Sequence, residues 1–164
     1  MNDSGEAAGE PPQGSVAGLG PVSHAIFRVA RLHKAFAGQL LRRVGLYPGQ
    51  ELLMIRLWDH GPQRQVDLVR TLESDAPSVA RSVRRLEKAG FVRRSPSPDD
   101  GRVTIVEATR ASLPLKRSVE QMWADLEELT VGAMSDSERD RTLRVLDALE
   151  QNLDDAERGR DRPE

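Results

Sequence analysis

The segment from Ala76 to Arg102 constrains the fold of this chain more than any other, because it changes periodicity once and carries a glycine at the change. In its first part, Val79, Val83 and Leu86 recur at helical spacing and define an apolar stripe. The helical pattern ends at Gly90, and two β-rich runs then flank a loop that contains two prolines and a glycine. The segment therefore predicts a short amphipathic helix followed by a β-hairpin with a long tip.

Basic side chains cluster on this predicted helix, away from its apolar stripe. Residues 76–94 contain six basic residues against one acidic residue, although the whole chain has a net charge of -2. Residues 62–102 hold nine Lys/Arg and six Asp/Glu (net +3), whereas residues 107–164 hold nine and fifteen (net -6). A helix of groove-fitting length with cations on its exposed face is the usual element that reads the major groove of DNA. The pattern indicates a local anionic partner, which we predict to be double-stranded DNA.

Helical periodicity predicts three more helices before this segment. The first begins at Pro21, ends at Gly45 and repeats apolar or aromatic side chains in steps of three and four residues: Val22, Ile26, Val29, His33, Phe36, Leu40 and Val44. The second, QELLMIRLWDH, is apolar nearly all round, which predicts a central position in the domain. The third starts at Pro62 and is expected to direct three side chains inward: Val66, Val69 and Leu72.

Two helices are predicted after the hairpin. Pro114 suits the first turn of one of them, with Ser112 as its cap, and its apolar positions are Leu115, Val119, Met122, Trp123, Leu126 and Leu129. The other begins at a capping signal, Ser135 to Glu138, and carries Leu143, Leu146, Leu149 and Leu153. A similar start signal, Ser74 to Pro77, opens the arginine-rich helix.

These elements predict a mainly α (α+β) fold built around a winged helix-turn-helix. We place the DNA-binding domain at residues 46–106 and a helical dimerisation region at residues 21–45 and 107–153. Residues 1–20, rich in Gly, Pro, Ala and Ser, are expected to be a disordered leader, and residues 154–164 a charged flexible tail.

The exposed face of the arginine-rich helix supplies the candidate DNA contacts. Four side chains are expected to face base edges: Ser78, Arg81, Ser82 and Arg85. Four are expected to meet phosphates, which adds affinity but little sequence choice: Arg84, Lys88, Arg93 and Arg94. Beyond the hairpin tip, Arg102 can reach a narrow minor groove, and Asp100 is expected to hold its guanidinium by a charged hydrogen bond.

The run from Leu46 to Thr109 resembles the MarR family of bacterial transcriptional regulators. The residues that carry the resemblance are the motifs PSVAR from Pro77, RLEKAGFVRR from Arg85, and the wing signature Asp100-Gly101-Arg102 followed by Glu107-Ala108-Thr109. The resemblance implies a homodimer in which the N- and C-terminal helices intertwine. It also implies repression at palindromic promoter sites and release of DNA on binding a small, often aromatic, effector.

The resemblance places such an effector between the dimerisation helices and the winged domain. Candidates for that site are His33 on the first helix, Tyr47, and Met54 and Trp58 on the second helix. Each of these side chains also has a plain structural explanation as a core or interface residue.

Other classes of function find less support in the sequence. The chain contains no cysteine, its three histidines form no HxxxH pair, and no apolar run approaches the roughly 20 residues of a membrane span. We therefore predict no metal, no cofactor, no membrane partner and a cytoplasmic location. No glycine-rich phosphate loop or nucleophile–base pair indicates an enzyme. The alternative is a winged-helix module that mediates protein assembly without reading DNA, although such a module has no need of both Arg81 and Arg102 on one surface.

Overall fold

The computed structural model describes residues 19–160 of the chain. It divides into two compact units, one ending at Trp123 and one beginning at Ala124. The leader predicted over residues 1–20 lies outside the described residues, except for its last two positions. Residues 161–164 of the predicted tail also lie outside.

Six α-helices and three strands make up the described chain. The helices are α1 (Pro21–Arg43), α2 (Gln50–His60), α3 (Gln65–Thr71), α4 (Ala76–Lys88), α5 (Leu113–Val131) and α6 (Asp136–Arg160). The strands are β1 (Gln63–Arg64), β2 (Val92–Pro96) and β3 (Thr104–Ala108), and a short 3₁₀ turn, Arg110–Ser112, precedes α5. The mainly α winged helix-turn-helix fold is confirmed.

The three strands form one antiparallel sheet in the order β1-β3-β2. In the hairpin, Arg93 lies opposite Glu107 and Arg94 lies opposite Val106. On the other edge of β3, Gln63 pairs with Val106. The predicted hairpin is confirmed, and each of its strands ends later in the chain than the sequence indicates.

The core of the first unit surrounds α2. Leu53, Met54 and Leu57 are at most 2% exposed, as expected for a helix that is apolar nearly all round. Helix α2 packs against β3, and α4 packs against both α3 and β2. Other side chains that complete this core are Leu41, Leu68, Val83, Leu86 and Val106.

The third helix differs from its prediction. The sequence pattern starts it at Pro62, but Gln63 and Arg64 form β1, and the helix begins at Gln65. Leu68 is its fully buried residue, whereas Val66, predicted to point inward, is exposed. The cause is long-range: β3 satisfies the backbone groups at Gln63, so the chain enters the helix later and on a different face.

The outer helices leave apolar side chains uncovered. On α1, Leu40 and Leu41 are buried, while exposed side chains recur along the rest of the predicted stripe: Val22, Ile26, Val29 and Phe36. On α6, the exposed side chains are Leu143, Leu146 and Leu153. Helix α6 extends to Arg160, so the tail predicted at residues 154–164 is helical over residues 154–160.

Glu51 is a carboxylate buried in the first turn of α2. It is 8% exposed, and its Oε2 atom has no hydrogen-bond partner among the described residues. Burial raises the pKa of Glu51 above 4.5, opposed by hydrogen bonds from the backbone amides of Glu51 and Gly49. At neutral pH the folded state therefore carries the cost of a partly unsatisfied buried charge.

Glu51→Gln should raise the free energy of unfolding by about 1 kcal/mol near neutral pH, because the amide keeps an acceptor without the charge. The gain should shrink as the pH falls through the raised pKa of Glu51, and it should be lost below 4.5, where the carboxyl is protonated in the folded and the unfolded chain alike. Urea unfolding at neutral pH and below 4.5, at one protein concentration, measures this difference.

Glu120→Gln, at an exposed carboxyl of α5, is the control for this substitution. It removes a charge that water already solvates, so it should leave the free energy of unfolding nearly unchanged. A Glu51→Gln variant that is less stable than the wild type at neutral pH would contradict the interpretation.

Candidate nucleic-acid interface

Helix α4 begins and ends at local hydrogen-bond signals that the sequence carries. Its N-cap is Asp75, whose Oδ1 accepts the backbone N–H of Ser78 at 2.8 Å, and Pro77 lies in the first turn. Hydrogen bonds from the Ser78 hydroxyl and backbone amide lower the pKa of Asp75. At the other end, Gly90 has a φ of 81°, and the amide of Phe91 donates to the carbonyl of Leu86 at 2.9 Å, as in a Schellman motif.

The two faces of α4 are chemically separate. Val79, Val83 and Leu86 are at most 3% exposed and form the buried stripe that the sequence predicts. Ser78 and Ser82 are partly buried beside it. The exposed face carries four cations: Arg81, Arg84, Arg85 and Lys88. Burial of the stripe directs these cations toward solvent together.

A hydroxyl group orients Arg81 at the start of this face. Its Nη2 atom donates to Ser78 Oγ at 2.9 Å. Ser78 therefore links the N-cap residue Asp75 to Arg81, which places this arginine at the end of the helix that enters a groove first. The side chain of Ser78 has two partners within the protein before any ligand arrives.

An aromatic ring supports Arg85. The guanidinium carbon lies 4.6 Å from the centroid of the Tyr47 ring, within cation–π range. The sequence analysis groups Tyr47 with the effector-binding residues, but the structure places it beside α4 with 60% of its surface exposed. No local pattern signals this contact, because the two residues are far apart in the chain.

Two arginines expected at phosphates are paired with carboxylates. Arg93 forms an ion pair with Glu107 directly across the hairpin. Arg94 donates to Glu87 from Nε at 2.8 Å and from Nη2 at 2.6 Å. The hydrogen bond from Arg94 lowers the pKa of Glu87, and the same bond raises the pKa of Arg94. The second pair ties the last turn of α4 to β2, so it fixes the wing relative to the helix.

The wing tip differs from its prediction in one bond. The sequence analysis expects Asp100 to hold the guanidinium of Arg102, but Asp100 Oδ1 accepts the backbone N–H of Arg102 at 2.9 Å. The backbone N–H of Val103 donates to the Asp100 carbonyl at 2.9 Å. An aspartate that bonds an amide two residues ahead stabilises a turn. Throughout residues 19–160, no ion pair involves the Arg102 guanidinium, which is exposed at the tip.

The structure does not gather the predicted effector residues into one cleft. Met54 is fully buried in the core, and His33 is half-buried on α1. Trp58 donates from Nε1 to Ser112 Oγ at 2.9 Å, so Ser112 has a buried tertiary partner instead of the capping role predicted for it. Two clefts flank α2, of about 120 and 310 Å³, and the four predicted residues line neither. An effector site at these residues stays a prediction.

Within the described part of the chain, no cluster of His, Cys, Asp or Glu could hold a metal ion. None of the described helices is both long and apolar enough to cross a membrane.

The fold and this surface define a class of protein: a winged helix-turn-helix whose second helix presents cations to solvent, with a charged wing beside it. The profile of the MarR family matches residues 46–104. The HTH-type transcriptional repressor NicR of Pseudomonas putida is 29% identical over 125 residues, which cover 76% of this chain and 79% of that protein.

Solved structures show the same fold. MarR from E. coli in complex with operator DNA superposes with a TM-score of 0.72 at 19% identity, over 81% of this chain and 96% of that one. Bordetella bronchiseptica BpsR, whose DNA binding is regulated by 6-hydroxynicotinic acid, superposes with a TM-score of 0.70 at 23% identity, over 79% and 92% of the two chains. The chain belongs to the MarR family of winged-helix transcriptional regulators. Members of this family regulate transcription and are not enzymes.

The turn bond of Asp100 leads to a test of the wing. Asp100→Ala should weaken binding to duplex DNA about fivefold, since one hydrogen bond that shapes the tip is lost. Asp100→Asn should bind like the wild type, because the amide oxygen still accepts the Arg102 N–H. Fluorescence anisotropy titrations measure both affinities.

Asp99→Ala is the matched control, since it removes a neighbouring exposed charge without that hydrogen bond. If Asp100→Asn is as damaging as Asp100→Ala, the charge acts on the guanidinium and our assignment of the bond is wrong.

Proposed function

We propose that this regulator reads a specific duplex sequence with α4 in the major groove and Arg102 in the adjacent minor groove. The observation that carries the proposal is the division of α4 into a buried apolar stripe and an exposed cationic face. Arg81 and Arg85 supply planar donors that suit guanine O6 and N7, and Ser78 and Ser82 lie beside them. Arg84 and Lys88 extend from the same face toward phosphates.

Arg93 and Arg94 take a different role in this proposal. Both have carboxylate partners within the chain, so their charge is already largely balanced. We assign them to bracing the wing against α4 and across the hairpin, whereas the phosphate contacts expected from the sequence would require those ion pairs to break. Arg102, which has no ion-pair partner among the described residues, is the cation of the wing that reaches DNA.

The functional unit in this proposal is a homodimer. The uncovered apolar side chains of α1 and α6 support it, because a single copy leaves them in water. A two-fold dimer places two copies of α4 at the spacing of two half-sites, which suits a palindromic operator.

The action of the regulator is proposed as repression relieved by a small aromatic ligand. The repressor NicR and the ligand-regulated BpsR, both similar to this chain, support this assignment. Because its target is promoter DNA, we place the protein in the cytoplasm.

Selection of bound duplexes from a random pool by the wild-type protein, followed by titration of variants, tests the DNA assignment. Arg81→Ala should relax the preference at one base pair of each half-site, at a cost of about tenfold in affinity, because a bidentate base contact is lost. Arg102→Ala should weaken all related duplexes alike and reduce the salt dependence of binding.

Arg117→Ala, at an exposed arginine of α5, is the control for loss of positive charge. Recovery of no preferred sequence by the wild-type protein would refute DNA reading and favour the alternative of a protein-assembly module.

The dimer assignment has a separate test. Leu146→Glu should shift the protein from dimer to monomer in sedimentation velocity, because a charge would be buried without a partner at the interface. Arg144→Glu lies on the opposite side of α6 at helical spacing and should leave the dimer intact. An unchanged dimer in the Leu146→Glu variant would place the interface elsewhere.

A further inference from the structure

Tyr47 occupies a backbone position that leaves its ring little freedom to move away from α4. The chain from Tyr47 to Gln50 forms a tight turn, in which the amide of Gln50 donates to the Tyr47 carbonyl at 3.0 Å. Pro48 and Gly49 occupy the central positions, and Gly49 has a φ of 87°, as a type II turn requires. In return, the Gln50 side chain accepts the backbone N–H of Tyr47 at 3.0 Å.

Buried neighbours anchor both ends of this turn. Gln50 is 3% exposed and Leu46, just before the turn, is also 3% exposed. The amide of Leu46 donates to the carbonyl of Leu41 at 3.0 Å, which ties the turn to the end of α1. The Tyr47 ring is therefore an exposed side chain on a fixed base, beneath the guanidinium of Arg85.

An aromatic support differs chemically from a carboxylate support. Glu87 and Glu107 hold their arginines by accepting N–H donors and balancing the charge. A ring face contacts the flat side of a guanidinium, so it leaves the in-plane N–H donors and the positive charge available. Within residues 19–160, Arg85 has no carboxylate partner. The ring thus limits the conformations of Arg85 without occupying the groups that would contact a base.

We propose that Tyr47 is a positioning residue for DNA reading: its ring holds the Arg85 guanidinium in the plane from which it contacts a guanine. Ordering a long arginine side chain before binding reduces the entropy lost when the contact forms. The inference rests on the proposed DNA-reading function, and it places a specificity element on the turn before α2, outside the helix-turn-helix. The hydroxyl of Tyr47 has no part in it.

Nuclear magnetic resonance of the DNA-free protein tests the contact independently of DNA reading. The Arg85 Nε–H resonance should show a ring-current shift in the wild type and in Tyr47→Phe, and the shift should vanish in Tyr47→Leu. The absence of a shift in the wild type would overturn the inference even if DNA reading is correct.

Titration of the duplex selected by the wild-type protein tests the functional consequence. Tyr47→Leu should bind this duplex about two- to fivefold more weakly, the effect expected of an exposed cation–π contact. It should also lose preference at the same base pair as Arg85→Ala. Tyr47→Phe should match the wild type. In an Arg85→Ala background, Tyr47→Leu should have no further effect.

Three results would overturn the positioning role. Tyr47→Phe could weaken binding as much as Tyr47→Leu, which would assign the effect to the hydroxyl. Tyr47→Leu could weaken every duplex equally, or by the same factor with and without Arg85, and the ring would then act through another group. Recovery of no preferred duplex by the wild type is the separate outcome in which the proposed function itself fails. Thermal melting of all variants checks that the turn stays folded, as expected for a side chain that is 60% exposed.

Discussion

Burial of three side chains on α4 is the constraint on which the rest of the interface depends. Val79, Val83 and Leu86 are almost completely removed from water, at about 1.5–3 kcal/mol for each side chain of this size. Turning the helix to bury its other face would forfeit that free energy and would also strip water from guanidinium groups. The direction of the four cations therefore follows from apolar packing and requires no attraction to a ligand.

The arginines around this helix differ by what holds them. Carboxylates balance the charges of Arg93 and Arg94, which stiffens the wing and removes two cations from the binding surface. A hydroxyl orients Arg81, an aromatic ring supports Arg85, and neither support neutralises charge. The protein thus uses one residue type for two purposes. Some arginines build the wing, and others keep their donors for a partner.

Much of the fold could be predicted because its signals are local. The cap at Asp75, the stop at Gly90 and the capping box at Ser135, where Glu138 accepts the Ser135 amide at 2.8 Å, all act within a few residues. The hairpin and the buried stripe of α4 follow from periodicity for the same reason. The predictions failed where a distant partner intervened, as when β3 recruited Gln63 and delayed the start of α3.

The same distinction separates the two parts of the candidate interface. The sequence by itself determined which residues share the exposed face of α4, since a period of 3.6 residues and a buried stripe leave one arrangement. Only the tertiary structure decided which cations are paired: Glu87 meets Arg94, Glu107 meets Arg93, and the Tyr47 ring meets Arg85. Helical periodicity is a property of neighbouring residues. Ion pairs and ring contacts depend on how separate elements pack, and no local pattern of residues encodes that geometry.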